Sequence, residues 1–117
     1  MVDLETFRRM ALSLPEAEEL PHFERPSFRV KKKIFATMWI KEKRAVLKLS
    51  LINQSVFCSF NKTIIYPVEG AWGRQGWTMV ELRKARKAMF RDALTTAWCE
   101  VAPKKLITKY SEQDDEN

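Results

Sequence analysis

Three residue types that build many functional sites are scarce in this chain of 117 residues. It has one histidine, two cysteines and three glycines. A metal site needs several nitrogen, sulfur or carboxylate ligands close together, and neither cysteine has a CxxC partner. We expect Cys58 and Cys99 to be reduced core residues. The sequence therefore predicts neither a metal nor another cofactor.

Long apolar runs are also missing. The longest candidate, residues 34–40 (IFATMWI), has the length of a strand and not the roughly 20 residues of a membrane span. The N-terminus, MVDLETFRRM, carries charges where a signal peptide would be apolar. We expect a cytoplasmic protein that makes no contact with membranes.

Positive charge predominates in the chain and is unevenly distributed. The net charge is +6, but the last seven residues hold four acids and no base, so residues 1–110 carry +10. Such a basic body attracts polyanions, nucleic acid first and acidic lipid or an acidic protein surface second. Simple solubility is the alternative explanation. We predict a single domain over residues 1–110 and an acidic, flexible tail over residues 111–117.

The hydrophobic pattern predicts a two-layer α+β domain. A first helix starts at Asp3 as its N-cap, and residues 27–51 form a three-stranded antiparallel meander with lysine-rich turns. A short helix with Asn53 as a candidate cap follows, then one or two strands, and a long helix over about residues 81–101. The predicted order is α-βββ-α-ββ-α, with an antiparallel sheet of about five strands packed by helices. Residues 16–20 form either a connector or a short edge strand.

The two turns of the meander are the first candidate binding surface. Between Arg29 and Lys48 there are eight bases and one acid. The turns lie at opposite ends of the middle strand, roughly 20 Å apart, so one nucleic acid could reach both only along the sheet face. The alternative is that lysine-rich turns keep the sheet soluble. The candidates for phosphate contacts are Arg29, Lys31, Lys32, Lys33, Lys41, Lys43 and Arg44, and Arg83, Lys87 and Arg91 extend this surface.

The segment Tyr66–Leu82, which we call the Gly/Trp loop, contains every glycine of the chain. Its GxxGxxG spacing matches neither the phosphate-binding nor the dinucleotide-binding loop, so we expect the glycines to supply positive φ angles. If Trp72 is exposed, it offers an aromatic surface beside the cation Arg74, which suits a stacked base or an anionic ring. We expect Trp77 to be buried.

The segment HFERP contains the only histidine. His22 and Glu24 could serve as a base and its orienting carboxylate, but no serine or cysteine is placed as a nucleophile. We therefore predict no catalytic residues and no enzymatic activity. A ligand cleft between this segment and the Gly/Trp loop is more plausible, with His22, Arg25 and Trp77 as its residues.

Four segments together resemble the MmcQ/YjbR-like family. They are HFERPSFRV (His22–Val30), KIFATMWI (Lys33–Ile40), PVEGAWGRQGWTMVEL (Pro67–Leu82) and AWCEVAPKKL (Ala97–Leu106). The resemblance extends to about Tyr110 and leaves the acidic tail outside. It implies a compact α+β fold of the secretion-chaperone-like type and, by analogy of fold, DNA binding.

Two functions follow as hypotheses. The first is largely sequence-independent binding of DNA or RNA by the basic turns, with Trp72 stacking on a base. The second is an interaction module that receives a protein segment or a small acidic ligand in the cleft. In either case we expect a monomer or a weak homodimer.

Overall fold

The computed structural model describes the backbone of residues 1–116 and the side chains of residues 1–112. Five helices and six strands follow one another in mixed order. They are α1 (Leu4–Ser13), β1 (Glu18–His22), β2 (Arg25–Val30), β3 (Lys33–Trp39), β4 (Arg44–Lys48), α2 (Leu51–Cys58), β5 (Ile65–Pro67), α3 (Ala71–Arg74), β6 (Trp77–Glu81), α4 (Lys87–Val101) and α5 (Lys104–Glu116).

The strands form one antiparallel sheet in the order β1-β2-β3-β4-β6-β5. The α+β class and the central meander are confirmed, and the sheet has one strand more than expected. The additional strand is β1, which lies at the edge and pairs Pro21 with Pro26. Proline has no N–H to donate, so an edge is where a sheet tolerates it.

One face of the sheet carries the hydrophobic core. The ring of Phe7 on α1 lies 5.3 Å from Phe28 on β2 and 5.1 Å from Phe90 on α4, measured between centroids. In β3 and β4 the residues that point into this core include the neighbours Ala36 and Leu47, both fully buried. Helix α1 is started by Asp3, whose carboxylate accepts a hydrogen bond from the Thr6 amide at 2.7 Å, as predicted.

The alternate residues of the same strands point to the opposite side, which we call the outer face. Thr37, Val46 and Met79 lie side by side there on β3, β4 and β6. This row belongs to the face opposite the core row of Ala36 and Leu47 because successive residues of a strand point to opposite sides. The outer face is the floor of the candidate site described below.

Two helix boundaries differ from the prediction. Helix α2 is capped by Ser50, whose hydroxyl accepts from the Asn53 amide at 3.1 Å, and not by Asn53 itself. Leu51, predicted to continue a strand, is therefore the first residue of the helix and is exposed. Helix α4 begins at Lys87 and not near residue 81, because β6 and a turn occupy the start of that apolar pattern.

The C-terminal segment forms a helix, α5, that the sequence did not predict. Pro103 ends α4, and its carbonyl accepts from the amides of Leu106 and Ile107 in the first turn of α5. Tyr110 of α5 packs on Trp98 with ring centroids 5.4 Å apart. The predicted tail, residues 111–117, thus lies within α5 up to residue 116, and residue 117 is outside the described residues. No helix in residues 1–116 has the length and apolar character to cross a membrane.

Candidate functional site

A groove of about 440 Å³ crosses the outer face of the sheet, and we call it the outer-face groove. Its floor comes from β3 and β4, its first wall from the β1–β2 hairpin and its second wall from the Gly/Trp loop. The floor residues are Ile34, Thr37, Trp39 and Val46; the walls are His22, Phe23 and Arg25 on one side and Val68, Trp72 and Trp77 on the other. Volumes of this order hold small molecules in other proteins.

The first wall is the end of a tight hairpin. His22 and Arg25 form the last residue pair of β1 and β2, and Phe23 and Glu24 make the turn between them. Phe23 has a φ of +59°, which is unfavourable for a bulky side chain, and it is 90% exposed. Its ring meets His22 edge to face, with centroids 4.7 Å apart. A strained, exposed aromatic residue at a turn where Asn or Gly would fit better points to a role in binding.

Arg25 is positioned by two interactions. Its guanidinium carbon lies 3.8 Å from the centre of the Trp39 ring, and one of its nitrogens lies 3.6 Å from a carboxylate oxygen of Glu42. The stacking holds the guanidinium against the floor of the groove, and 46% of the Arg25 side chain remains exposed. The ion pair with Glu42 is partly exposed and therefore weak.

The second wall is built from two tryptophans. Trp72, on the short helix α3, is 61% exposed. Its ring is therefore accessible, which the stacking role considered for it requires. Trp77, predicted to be buried, is half-buried and meets Trp72 edge to face with centroids 6.2 Å apart. The Lys48 ammonium lies 5.9 Å from the centre of the Trp77 ring. The wall therefore combines two aromatic surfaces with one nearby cation.

The glycines explain how the second wall is held in place. A Cβ on Gly73 would lie 1.8 Å from the carbonyl oxygen of Val68, and one on Gly76 would lie 1.8 Å from that of Leu49. Gly76 also has a φ of +104°. Positive φ was predicted for this loop, and Gly73 adds a second reason for glycine, which is the close approach of two backbone segments.

Gln54 of α2 fixes the same loop from the core side. Its buried amide nitrogen donates to the carbonyls of Gly73 at 3.0 Å and Trp77 at 3.1 Å, and to the Thr78 hydroxyl at 3.2 Å. The carbonyls of Gly73 and Trp77 also accept from the backbone amides of Gly76 and Val68, so Gln54 adds a second donor to each. The two tryptophans therefore stand on a loop that is tied to a helix.

A partly buried polar cluster lies on the same face beyond Trp39. Glu81 accepts hydrogen bonds from Arg44, at 3.0 Å, and from the Tyr66 hydroxyl. Partial burial acts to raise the pKa of Glu81, but the hydrogen bonds from Tyr66 and Arg44 outweigh it and lower the pKa. Burial, followed by the bond to Glu81, raises the pKa of Tyr66. Arg44 is thus committed to an ion pair.

The candidate phosphate-binding residues do not converge. Lys31 and Lys32 form the β2–β3 turn with Lys33 next to it, whereas Lys41 and Lys43 lie in the β3–β4 turn at the other end of β3. Some of the cations have partners: Lys31 pairs with Glu16 at 3.0 Å, and Arg29 donates to Ser27 and to the carbonyl of Pro21. Arg74 is exposed at the end of α3. The expected separation of the two basic turns is therefore found.

The candidate cleft residues, in contrast, lie together. His22, Arg25 and Trp77 all line the outer-face groove, and so does Trp72. Sequence reasoning missed Phe23 and Trp39. For Phe23 a signal existed, namely a large apolar residue at the tip of a hairpin. For Trp39 none did, because the strand that contains it is apolar on both faces.

The two cysteines stand apart from this site. Cys58 is buried and Cys99 half-buried, both are free thiols, and burial raises the pKa of each. Such thiols are poor nucleophiles at neutral pH. Among residues 1–112 no three histidine, cysteine or acidic side chains gather as metal ligands.

Comparisons with known proteins agree with this fold. A family model described as YjbR matches residues 12–100. A crystal structure of the Deinococcus radiodurans protein DR2400, with the family-model domain DUF419, is similar with a TM-score of 0.77 at 20% identity, covering 90% of this chain and 82% of that one. At this identity the similarity concerns the fold. No curated protein matches the chain.

Proposed function

We propose that this chain, which belongs to the YjbR family, is a binding protein that holds a planar aromatic molecule with an acidic group in the outer-face groove. The observation that carries the proposal is the convergence of Arg25, Phe23 and three of the four tryptophans on one groove. Aromatic side chains bind planar ligands by stacking and edge contacts, each worth about 0.5–1.5 kcal/mol beyond burial.

The acidic group is inferred from Arg25 and His22. Arg25 stacks on Trp39, and its forked N–H groups suit a carboxylate or a phosphate. His22 lies opposite it in the hairpin pair and can donate a second hydrogen bond. Both residues stand in the same wall, so a bound molecule would direct its anionic end to the β1–β2 hairpin and its rings to Trp72 and Trp77.

The test uses two fluorescent probes with the same rings. One is 1-anilinonaphthalene-8-sulfonate, which is anionic, and the other is N-phenyl-1-naphthylamine, which lacks the sulfonate. We expect the anionic probe to bind more tightly, to quench the tryptophan fluorescence of the groove, and to lose at least tenfold in affinity with Trp72→Ala. Since Trp72 is exposed, this variant should fold normally.

The control is Leu12→Ala, which removes an exposed apolar side chain of α1 outside the groove. It should leave both affinities unchanged. Equal affinity for the two probes, or binding that survives Trp72→Ala, would contradict the proposal.

A second candidate function is binding of single-stranded nucleic acid. The observation in its favour is the exposure of Phe23 and Trp72 on opposite rims of the groove, where two bases could stack, with basic turns at both ends of β3. Against it stand the position of the two basic turns at opposite ends of β3 and the ion pairs that engage Lys31 and Arg44.

Fluorescence anisotropy with a labelled oligothymidine distinguishes the two functions. Nucleic-acid binding should weaken steeply between low and moderate salt and should fall with charge reversal at Lys32 and Lys41. The small-molecule proposal expects weak oligonucleotide binding and probe affinities that these reversals leave unchanged.

A further inference from the structure

A second groove lies between α2 and α4 and shares no lining residue with the outer-face groove. Its volume is about 710 Å³, and we call it the α2–α4 groove. Val56, Phe60, Ile64 and Met89 are among the apolar residues that line it. It is therefore a separate concave apolar surface, built mainly from α2, α4 and the turns next to them, with Ile65 of the edge strand β5.

One side of this groove exposes large apolar side chains to solvent. Ile52, Val56 and Phe60 follow each other at spacings of four along α2 and the turn after it, and they are 78%, 51% and 69% exposed. Val56 and Phe60 line the groove, and Ile52 continues the stripe beyond it. Helices normally turn such a stripe toward the core. Here the buried residues of α2 are Gln54 and Cys58 on other positions, so the apolar stripe is left without a partner.

The other side of the groove is strongly basic. Lys84 and Arg86 line it, and the segment from Arg83 to Arg91 contains five bases and no acid. Among residues 1–112 the ion pairs involve none of these bases. Asp92 is the acidic residue of the groove lining. The rim therefore carries positive charge that no ion pair among the side chains of residues 1–112 neutralises.

From this combination we infer that the α2–α4 groove binds an acidic amphipathic helix of a partner protein. Large apolar residues on one side of that helix would enter the groove against Val56 and Phe60, and carboxylates beside them would pair with Lys84 and Arg86. Helix-in-groove recognition works in this way, and complementary charge fixes the orientation of the bound helix. The inference goes beyond the proposed function and does not depend on it.

Two other occupants fit the surface less well. The phosphates of a nucleic acid would pair with the basic side chains but would leave Phe60 and Ile52 in contact with water. A lipid bilayer would cover exposed apolar residues but cannot fill a concave groove with its flat surface. A helical segment satisfies both the shape and the charge.

The test is selection from a random library of displayed peptides, roughly 16 residues long so that four helical turns are possible, against the immobilised full-length protein. We expect the selected peptides to be acidic, with large apolar residues at spacings of three and four. Their affinity should fall at least tenfold with the double variant Lys84→Glu/Arg86→Glu and with Phe60→Asp, which lies on the surface and should not disturb the core.

The matched control is Lys104→Glu/Lys105→Glu, the same charge change on exposed lysines of α5 outside the groove. It should leave peptide binding within about twofold of the parent protein, because these lysines lie outside the groove lining and salt screens exposed charges that do not contact the ligand. No enrichment, or enrichment of basic or neutral peptides, would overturn the proposal.

Two measurements identify the competing occupants. Light scattering coupled to size exclusion would show a dimer that Phe60→Asp dissociates if a second copy covers this surface. Sedimentation with phosphatidylserine vesicles would show binding that the same variant removes if a membrane does. Either result overturns the proposal, whereas a monomer that ignores vesicles and binds the selected peptides supports it.

Discussion

The guanidinium carbon of Arg25 lies over the ring of Trp39, 3.8 Å from its centre, although the two residues are on different strands and are fourteen positions apart in sequence. This pair joins the hairpin wall of the outer-face groove to its floor. Stacking does not use the N–H groups, and the ion pair with Glu42 engages one nitrogen, at 3.6 Å, so the remaining N–H groups are left for an anion. The cation of the groove is thus part of an aromatic surface.

Replacing Arg25 by Gln should remove the preference for an anionic ligand. We expect the affinity difference between 1-anilinonaphthalene-8-sulfonate and N-phenyl-1-naphthylamine to shrink at least fivefold, mainly through weaker binding of the sulfonate. Arg25→Lys keeps the charge but loses the planar fork, so it should give an intermediate difference. A fluorescence titration of both probes measures this, and an unchanged difference in Arg25→Gln would assign the anion to another residue.

Replacing Phe23 by Asn should separate stability from binding. Asn tolerates a positive φ much better than Phe, and Phe23 is almost fully exposed, so the free energy of unfolding should stay the same or rise by about 0.5–1 kcal/mol. Probe affinity should fall because the groove loses one rim. Urea unfolding and a probe titration on the same sample check both effects.

The outcome that would contradict this interpretation of Phe23 is a variant that is destabilised while binding the probe as before. In that case the ring would serve the fold through its contact with His22. Glu24→Gln, a change at the neighbouring turn residue outside the groove lining, is the control and should alter neither quantity.

Replacing Gln54 by Glu should destabilise the protein in a pH-dependent way. The new carboxylate would face three acceptors, the carbonyls of Gly73 and Trp77 and the hydroxyl of Thr78, where the amide now donates. We expect a loss of about 1–3 kcal/mol at neutral pH. Protonation gives the acid a donor O–H, so the loss should decrease as the pH falls toward 5. Thermal unfolding over this pH range measures it, and a loss independent of pH would mean that the hydrogen bonds are unimportant.

The sequence predicts the layers of this fold better than its surfaces. The alternation along β4 and the charged turns on either side of β3 determine the meander, because both signals are local. The boundary between β4 and α2 was wrong because Leu49 and Leu51 continue an alternating pattern while Ser50 starts the helix. At this boundary the Ser50 hydroxyl caps α2, and the helix starts although the alternating pattern of a strand continues.

The outer-face groove was only partly predictable for a related reason. His22, Arg25 and Trp77 were chosen as polar or aromatic residues in two loops, and the structure brings those loops to the same face. The floor depends on the pairing register of β3 and β4, which sets Thr37 and Val46 on the outer face, and register is a property of the folded sheet. Phe23 and Trp39 become visible as wall and floor only after that register is known.

The ion pair of Glu81 should make stability depend on pH in the acidic range. Because hydrogen bonds from Tyr66 and Arg44 lower the pKa of Glu81 in the folded state, its contribution is present above the ordinary carboxyl pKa near 4.5 and is lost as the pH falls through the folded value. Glu81→Gln should therefore cost about 1 kcal/mol at pH 7 and progressively less below pH 4.5. Urea unfolding at a series of pH values compares the two proteins. Glu69→Gln, on an exposed loop residue, should run parallel to the parent protein throughout. If the Glu81→Gln curve also ran parallel, the pKa of Glu81 would be the same in the folded and unfolded chains, and the hydrogen bonds from Tyr66 and Arg44 would not favour its ionised form.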